Sequence, residues 1–378
     1  MKLDMASQTT IDEENNLNGF MGKLLAVDLT SGKISTLPLN EGYARQFVGG
    51  AGLACRYLYD RIDRDTDPLG PENPLLFMTG PLVGTRAPLC GRYVVCARSP
   101  QTGLWGEANS GGRFGPHLRF AGYDGILLMG KAAYPVYLSV WNGRAELHDA
   151  RDIWGKDSYE TQSAVTEELD VDHLSVACIG PAGENLVKYA AVMNDHGRAA
   201  GRTGMGTVMG SKNLKAIAAG GDFQVPVADE ALLKTAAEAI IETLKEDPTA
   251  MFFTAGGTAS AMDALMWMGD VPNCYFTKGL WEPAANLGGG VMAETILTGK
   301  RACYRCTVAC GRVTTIEGEH ATAGIDGPEY ETATAFGSLI LSDDLSGAAY
   351  ASHLCNRYGL DTISTGCTIA FAYYLYDR

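Results

Sequence analysis

Two rhythms of apolar residues divide this chain. Up to about residue 220, apolar positions come in short runs separated by glycine, asparagine, serine and proline. That spacing predicts short strands joined by tight turns. Residues 22–38 give two strands around Thr30-Ser31-Gly32. Residues 136–147 give a hairpin on Asn142-Gly143, the dipeptide best suited to a two-residue turn. The runs at 75–80, 92–97, 125–130 and 175–180 read as further strands, and helical periodicity interrupts them at 52–62 and at about 157–170.

The rhythm changes at Gly220-Gly221-Asp222-Phe223-Gln224-Val225-Pro226, which reads as a domain junction. Beyond it, Leu232, Leu233, Ala236, Ala237, Ile240, Ile241 and Leu244 recur at helix spacing, with Asp229 placed as N-cap and Pro248 as the stop. The remainder reads as mostly helical. The expected fold class is therefore α+β, with a β-rich domain over residues 20–220 and a mostly helical domain over 221–378. Residues 1–19 are acidic and polar, without the hydrophobic core of a signal sequence, and are expected to form a disordered extension. The last twenty residues stop inside an apolar helical pattern with neither a capping glycine nor a polar tail. A fragment, or one part of a split protein, is expected; the alternative is a terminal helix docked on the core.

Composition narrows the function. A net charge of −14 argues against nucleic acid as a partner, and no apolar run reaches membrane-spanning length. Ten cysteines are too few for a disulfide scaffold in 378 residues, which points to a reducing, cytoplasmic setting. Composition leaves a homo-oligomer open. The 46 glycines exceed the usual share of about 7% and cluster in short loops, as close backbone approach to a bulky cofactor requires.

The strongest chemical signal is Cys303-x-x-Cys306-x-x-x-Cys310, in RACYRCTVACGRV. Three thiolates at this spacing suit three corners of a [4Fe–4S] cluster, with a fourth ligand supplied elsewhere. A structural zinc site calls for a second Cys or His pair, and none is evident. The bland alternative is three small buried thiols on a helix. Two glycine-rich segments, Trp105–Pro116 and His196–Gly206, read as loops able to cradle an anion, and the second adds Arg198 and Arg202 as bidentate phosphate ligands. Tight turns packing a β-domain would look the same. Gly49-Gly50-Ala51-Gly52 lacks the third glycine of a dinucleotide loop and reads as a close helix–strand turn. Glu329 and Glu331, in Gly327-Pro328-Glu329-Tyr330-Glu331-Thr332, are candidates for a general base, although acids at this spacing are more often solvated. His196, His320 and His353 are isolated in the sequence and read as structural.

Taken in order, WGEANSGGRFGPHLRFAGYDGI, GRAAGRTGMGTVMGSKNLKAIA, CYRCTVACGRV, GPEYET and YGLDTIST resemble the aldehyde:ferredoxin oxidoreductases, enzymes with a tungsten (less often molybdenum) bis-pterin cofactor. The resemblance runs from about Phe20 to Arg378. It implies a saddle of two β-sheets carrying the pterins, closed over by two helical domains, the last without a counterpart here. It implies pterin contacts at Arg92, Asn109, Ser110 and Gly111, and at Arg198, Ala199, Gly201 and Arg202. It implies cluster ligation by Cys303, Cys306 and Cys310. Leu360 and Asp361 match the end of an Asp-x-x-Gly-Leu-Asp pterin segment whose first Asp is here Asn356. Asn keeps an acceptor oxygen but loses the charge. Glu329 or Glu331 becomes the active-site carboxylate. The family's fourth cluster cysteine and a histidine near the metal lie in the domain without a counterpart, so Cys355 and Cys367 are not promoted in their place. The implied reaction is oxidation of an aldehyde to a carboxylic acid with water, electrons leaving through the cluster to ferredoxin or a ferredoxin-like subunit. The rivals are reduction of an aromatic acyl thioester on the same scaffold, a non-catalytic iron–sulfur protein, and an inert fragment.

Overall fold

The computed structural model describes residues 17–378. Of the extension expected over residues 1–19, all but the last three lie outside the described residues. Those three are tied down: Leu17 packs on the core, and the Gly19 N–H donates to the Pro226 carbonyl at 2.7 Å.

The first half contains twelve strands: Lys23–Asp28 (β1), Lys33–Pro38 (β2), Leu75–Thr79 (β3), Tyr93–Arg98 (β4), Trp105–Ser110 (β5), Gly125–Met129 (β6), Val136–Trp141 (β7), Arg144–Asp149 (β8), Leu174–Cys178 (β9), Val192–Asn194 (β10), Arg198–Ala200 (β11) and Leu214–Gly220 (β12). They form two six-stranded mixed sheets, ordered β2-β1-β6-β3-β4-β5 and β11-β10-β9-β12-β7-β8. Only β1/β6 and β7/β12 pair in parallel among the described strands.

Period-two alternation sorts the central strands into separate cores. Leu75 and Phe77 of β3, with Tyr93, Val95 and Ala97 of β4, enter the main core. Their neighbours Leu76, Met78, Val94 and Cys96 pack on the opposite face, against helices Glu41–Phe47 and Gly50–Tyr59. The second sheet divides the same way. Ile217 and Ala219 of β12 join the main core, while Ala216 and Ala218 face helix Ser158–Leu169. The main core thus takes one face of each sheet, with Phe114, Leu118, Met205, Val208 and Met209 from two short helices. Burial on both faces is why these strands read as unbroken apolar runs.

The hairpin β7–β8 turns on Asn142 and Gly143 with φ of 47° and 79°, the left-handed pair a two-residue turn needs. Two expected loops are partly regular structure. Trp105–Pro116 contains β5 and the first turn of helix Phe114–Phe120, and His196–Gly206 contains β11 and the start of helix Met205–Ser211. Small polar residues gave both segments a turn-like composition; ladder pairing to β4 and β10 makes them strands.

The second half is mostly helical, but it also holds an antiparallel sheet of Leu297–Arg301 (β13), Gly311–Ile316 (β14) and Thr322–Asp326 (β15). The three clustered cysteines lie in the β13–β14 connection, not on a helix. Asp229 and Asp247 cap the helices Glu230–Glu246 and Pro248–Gly256, so Pro248 stops one helix and opens the next. The last helix, Thr362–Tyr376, is apolar on most sides, and Phe371, Tyr373, Leu375 and Tyr376 are exposed.

Helix Met205–Ser211 approaches the short helix Pro181–Glu184 through glycines. A Cβ on Gly210 would fall inside the van der Waals radius of the Gly183 carbonyl oxygen, a backbone atom that cannot rotate away. Gly210→Ala is expected to destabilise the fold by about 1–3 kcal/mol, the usual cost of overpacking, measured as a lower denaturation midpoint with unchanged cooperativity.

Candidate active site

β5 and β11 are edge strands of their respective sheets, and the two edges meet. The segments leaving both strands are thereby brought to one place. Gly111 comes from the end of β5, and Arg198, Ala199 and Gly201 come from β11 and its exit. The β13–β14 loop adds Cys303 and Cys310, and the segment between two late helices adds Leu360 and Asp361. Together with Arg92, Asn109, Asn356 and Glu329, these line a single cavity of about 290 Å³.

One buried amide holds this junction. Asn194, at the end of β10, has no exposed surface. Its Oδ1 accepts from the Tyr93 hydroxyl at 3.0 Å and the Ser110 hydroxyl at 2.7 Å. Its Nδ2 donates to the Gly111 carbonyl at 3.0 Å and to Asp195 Oδ2 at 2.9 Å. Asp195 Oδ2 also accepts from the Arg113 amide. The turn after β5 is therefore fixed to the second sheet from beneath. Above it, the Tyr304 N–H donates to the Gly112 carbonyl at 3.0 Å, and Leu89 N–H to the Arg305 carbonyl at 3.2 Å, docking the cysteine loop on the first domain.

Four expected site residues do not line the cavity. The Ser110 hydroxyl is spent on Asn194, so it supports the turn. Arg202 lies just outside and holds Asp361 Oδ2 at 2.8 Å. Cys306 is on the same loop, half-buried, beyond the lining residues. Glu331 is exposed in the first turn of helix Tyr330–Phe336, whereas Glu329, the N-cap residue, faces the cavity. Thr258 holds Glu329: its hydroxyl donates to Glu329 Oε2 and accepts from the Tyr330 N–H at 2.9 Å.

Arginines and acids share the walls. Arg92 Nη1 donates to Asn109 Oδ1 at 3.3 Å, and Arg198 Nη2 to the Arg301 carbonyl at 3.2 Å. Asp326, unremarked in the sequence, sits opposite Arg198 and pairs with Arg301 at 2.7 Å. Burial pushes its carboxyl up, against the pull of Arg301 and Arg198. Burial also pushes the Cys310 thiol up, aided by Glu329 and opposed by Arg198. His196 and His353, isolated in sequence, both pack edge-on against Tyr159, with centroids at 5.0 and 5.6 Å. Thr258, Asn194 and Asp326 carried no sequence signal beyond ordinary polar residues. Arg312, which also lines the cavity, directly follows the cysteine run.

Three thiols on one loop are the donor chemistry of an iron–sulfur cluster. None of the described cysteines is in a disulfide, and among the described residues no three His, Cys, Asp or Glu converge closely enough to hold one metal ion.

Residues 24–221 match the model of the aldehyde ferredoxin oxidoreductase N-terminal domain, and residues 235–378 match the model of domains 2 and 3 of that family. The chain belongs to the aldehyde ferredoxin oxidoreductase family. It is 44% identical over 361 residues to the tungsten-containing aldehyde ferredoxin oxidoreductase of Pyrococcus abyssi, and 43% identical over 362 residues to that of Thermococcus kodakarensis. Each alignment covers 95% of this chain and 59% of the relative, so the chain spans well under two thirds of the length of these relatives. An aliphatic sulfonate oxidoreductase subunit of Pyrococcus furiosus is 31% identical, with 95% and 60% covered. Among solved structures, an active-site complex of benzoyl coenzyme A reductase with 1,5-dienoyl-CoA superposes at a TM-score of 0.83 and 30% identity, over 95% of this chain and 56% of that one.

A Cβ on Gly111 would lie 2.8 Å from Cys303 Sγ. Gly111→Ala is expected to weaken iron binding about tenfold, as losses in the shell around metal ligands do, measured as iron per chain with an unchanged far-ultraviolet circular dichroism spectrum.

Proposed function

We propose that this family member carries a tungsten bis-pterin beside a [4Fe–4S] cluster and oxidises aldehydes to carboxylic acids, passing electrons to ferredoxin or a ferredoxin-like subunit. The observation that carries this reading is the convergence, at one cavity, of the glycine–arginine edges of both sheets, two of the three clustered cysteines and one oriented glutamate. Tungsten is preferred to molybdenum because the relatives at 42–44% identity are named as tungsten enzymes. Their higher identity also favours aldehyde oxidation over acyl-thioester reduction, which rests on a 30% structural neighbour. No described helix is long and apolar enough to cross a membrane. Free thiols throughout the described residues suit a reducing cytoplasm.

Arg92 and Arg198 would bind the anionic pterin groups through guanidinium forks, with Asn109, Gly111, Ala199 and Gly201 presenting backbone and amide partners. Asn356, Leu360 and Asp361 would close the second pterin site, and Cys303, Cys306 and Cys310 would ligate the cluster. When bound, the metal supplies two-electron redox chemistry, with water as the oxygen source. Glu329 is the proton acceptor in this reading. Thr258 holds its Oε2, while Oε1 makes no hydrogen bond among the described residues. A carboxylate so oriented can take a proton from water or substrate at the cavity wall. Glu331, exposed to solvent, has no such access.

Production with tungstate in a host that makes the pterin tests the reading. Tungsten, pterin and iron are expected in the purified protein, with aldehyde-dependent reduction of a low-potential dye. Finding neither tungsten nor pterin sinks it, and activity with aromatic acyl thioesters but not aldehydes would replace it with the reductase reading. Glu329→Gln is expected to lower kcat by about 10²–10⁴-fold, the range for loss of a general base, while Glu331→Gln leaves turnover little changed.

A further inference from the structure

Arg312 is a buried cation whose hydrogen bonds, among the described residues, all go to carbonyl oxygens. It keeps only 3% of its surface exposed and lines the cavity next to Cys310. Its Nε donates to the Cys310 carbonyl at 3.1 Å. Its Nη1 reaches the Thr254 and Ala255 carbonyls at 3.2 and 2.9 Å, and its Nη2 reaches the Ala309 carbonyl. Two of these carbonyls end the helix Pro248–Gly256, and two belong to the cysteine loop. Four of its five N–H donors are thereby engaged, and the charge has no paired anion. The ion pairs of the described residues include those of Arg119, Arg202, Arg301 and Arg357 with aspartates, and none includes Arg312. A buried guanidinium held only by dipoles retains a large desolvation cost, which a nearby anion offsets. The groups its charge faces are Cys310 and Glu329, with Arg198 as a like charge.

We infer that Arg312 is the fixed counter-cation of the cluster held by the cysteine trio, and that it raises the cluster's reduction potential. The inference rests on the cluster reading proposed above. Thiolate ligation gives the cluster excess negative charge, and one-electron reduction adds another unit. A cation that cannot deprotonate or swing away favours the reduced form. Arg198 also faces Cys303 and Cys310, but it shares its charge with Asp326 and Glu329 across the cavity, whereas Arg312 has no carboxylate in an ion pair.

The test is a redox titration of the cluster, followed by electron paramagnetic resonance, in the protein purified with its cluster. It compares the unsubstituted protein with Arg312→Gln and Arg312→Lys. Gln retains donors for the carbonyls but removes the charge, and Lys retains the charge with fewer donors. Arg312→Gln is expected to raise the oxidised-to-reduced ratio at fixed potential about tenfold, a fall of about 59 mV for one electron. Arg312→Lys is expected to titrate close to the unsubstituted protein. Coincident potentials for Gln and Lys, or loss of iron in both, would overturn the inference and leave Arg312 a brace for the loop. Iron content of the unsubstituted protein separates the two failures. Its absence sinks the cluster reading and this inference together; iron present with coincident potentials sinks this inference alone.

Discussion

The Asn194 side chain is the constraint on which the site depends. A single carboxamide has one acceptor oxygen and two donor hydrogens, and all of that capacity is used inside the protein. Its partners come from β4, from β5 with the turn after it, and from the neighbouring Asp195. It therefore fixes the distance and register between two sheets that share no strand. In a low-dielectric core such a network strengthens when complete and is costly when any member is missing. The cavity walls are in turn mounted on this junction. Gly111 faces Cys303, Gly112 carries the cysteine loop through Tyr304, and β11 follows Asn194 and Asp195 after a turn of His196 and Gly197.

Charge is arranged around that frame in two registers. On the open side, Arg92 is exposed, and the half-exposed Arg202 is paired with Asp361. On the inner side, Arg198, Arg312, Asp326 and Glu329 face one another and the thiols, where water no longer screens them. Thr258 settles the orientation of Glu329 with one hydroxyl that both donates and accepts. Two carboxylates only two residues apart thus acquire different surroundings: one stands at the N-cap position and looks inward to Thr258, the other lies in the first turn and looks out.

Legibility in the sequence tracks the range of the interactions involved. The Asn142-Gly143 hairpin, the Asp229 cap and the doubly buried strands are set by neighbours in the chain or by period-two burial, and they stand where the pattern put them. β5 and β11 were hidden because Gly, Asn, Ser and Ala have turn-like composition; only pairing across the sheet makes them strands. The sheet β13–β15 was hidden by its threonines, glycines and charges, which alternate weakly. Most of the site's residue types were legible from motifs that resemble a family, but their orientations were not. The direction of Ser110, the choice between Glu329 and Glu331, and the use of Arg312 each depend on residues fifty or more positions away.

Asp361 holds two posts at once. It caps helix Thr362–Tyr376 through the Ile363 and Ser364 amides, and its carboxylate forms part of the cavity wall. The segment leading into it pairs with the first domain, through Asp361 N–H to the Tyr189 carbonyl at 3.1 Å and Ala191 N–H to the Gly359 carbonyl at 2.8 Å. A ligand gripping that carboxylate in the folded state alone must also stabilise the attachment of the terminal helix, by mass action. The reverse holds equally, since linkage is reciprocal. Resistance of the terminal helix to proteolysis is therefore a gauge of cavity occupancy, readable without any turnover.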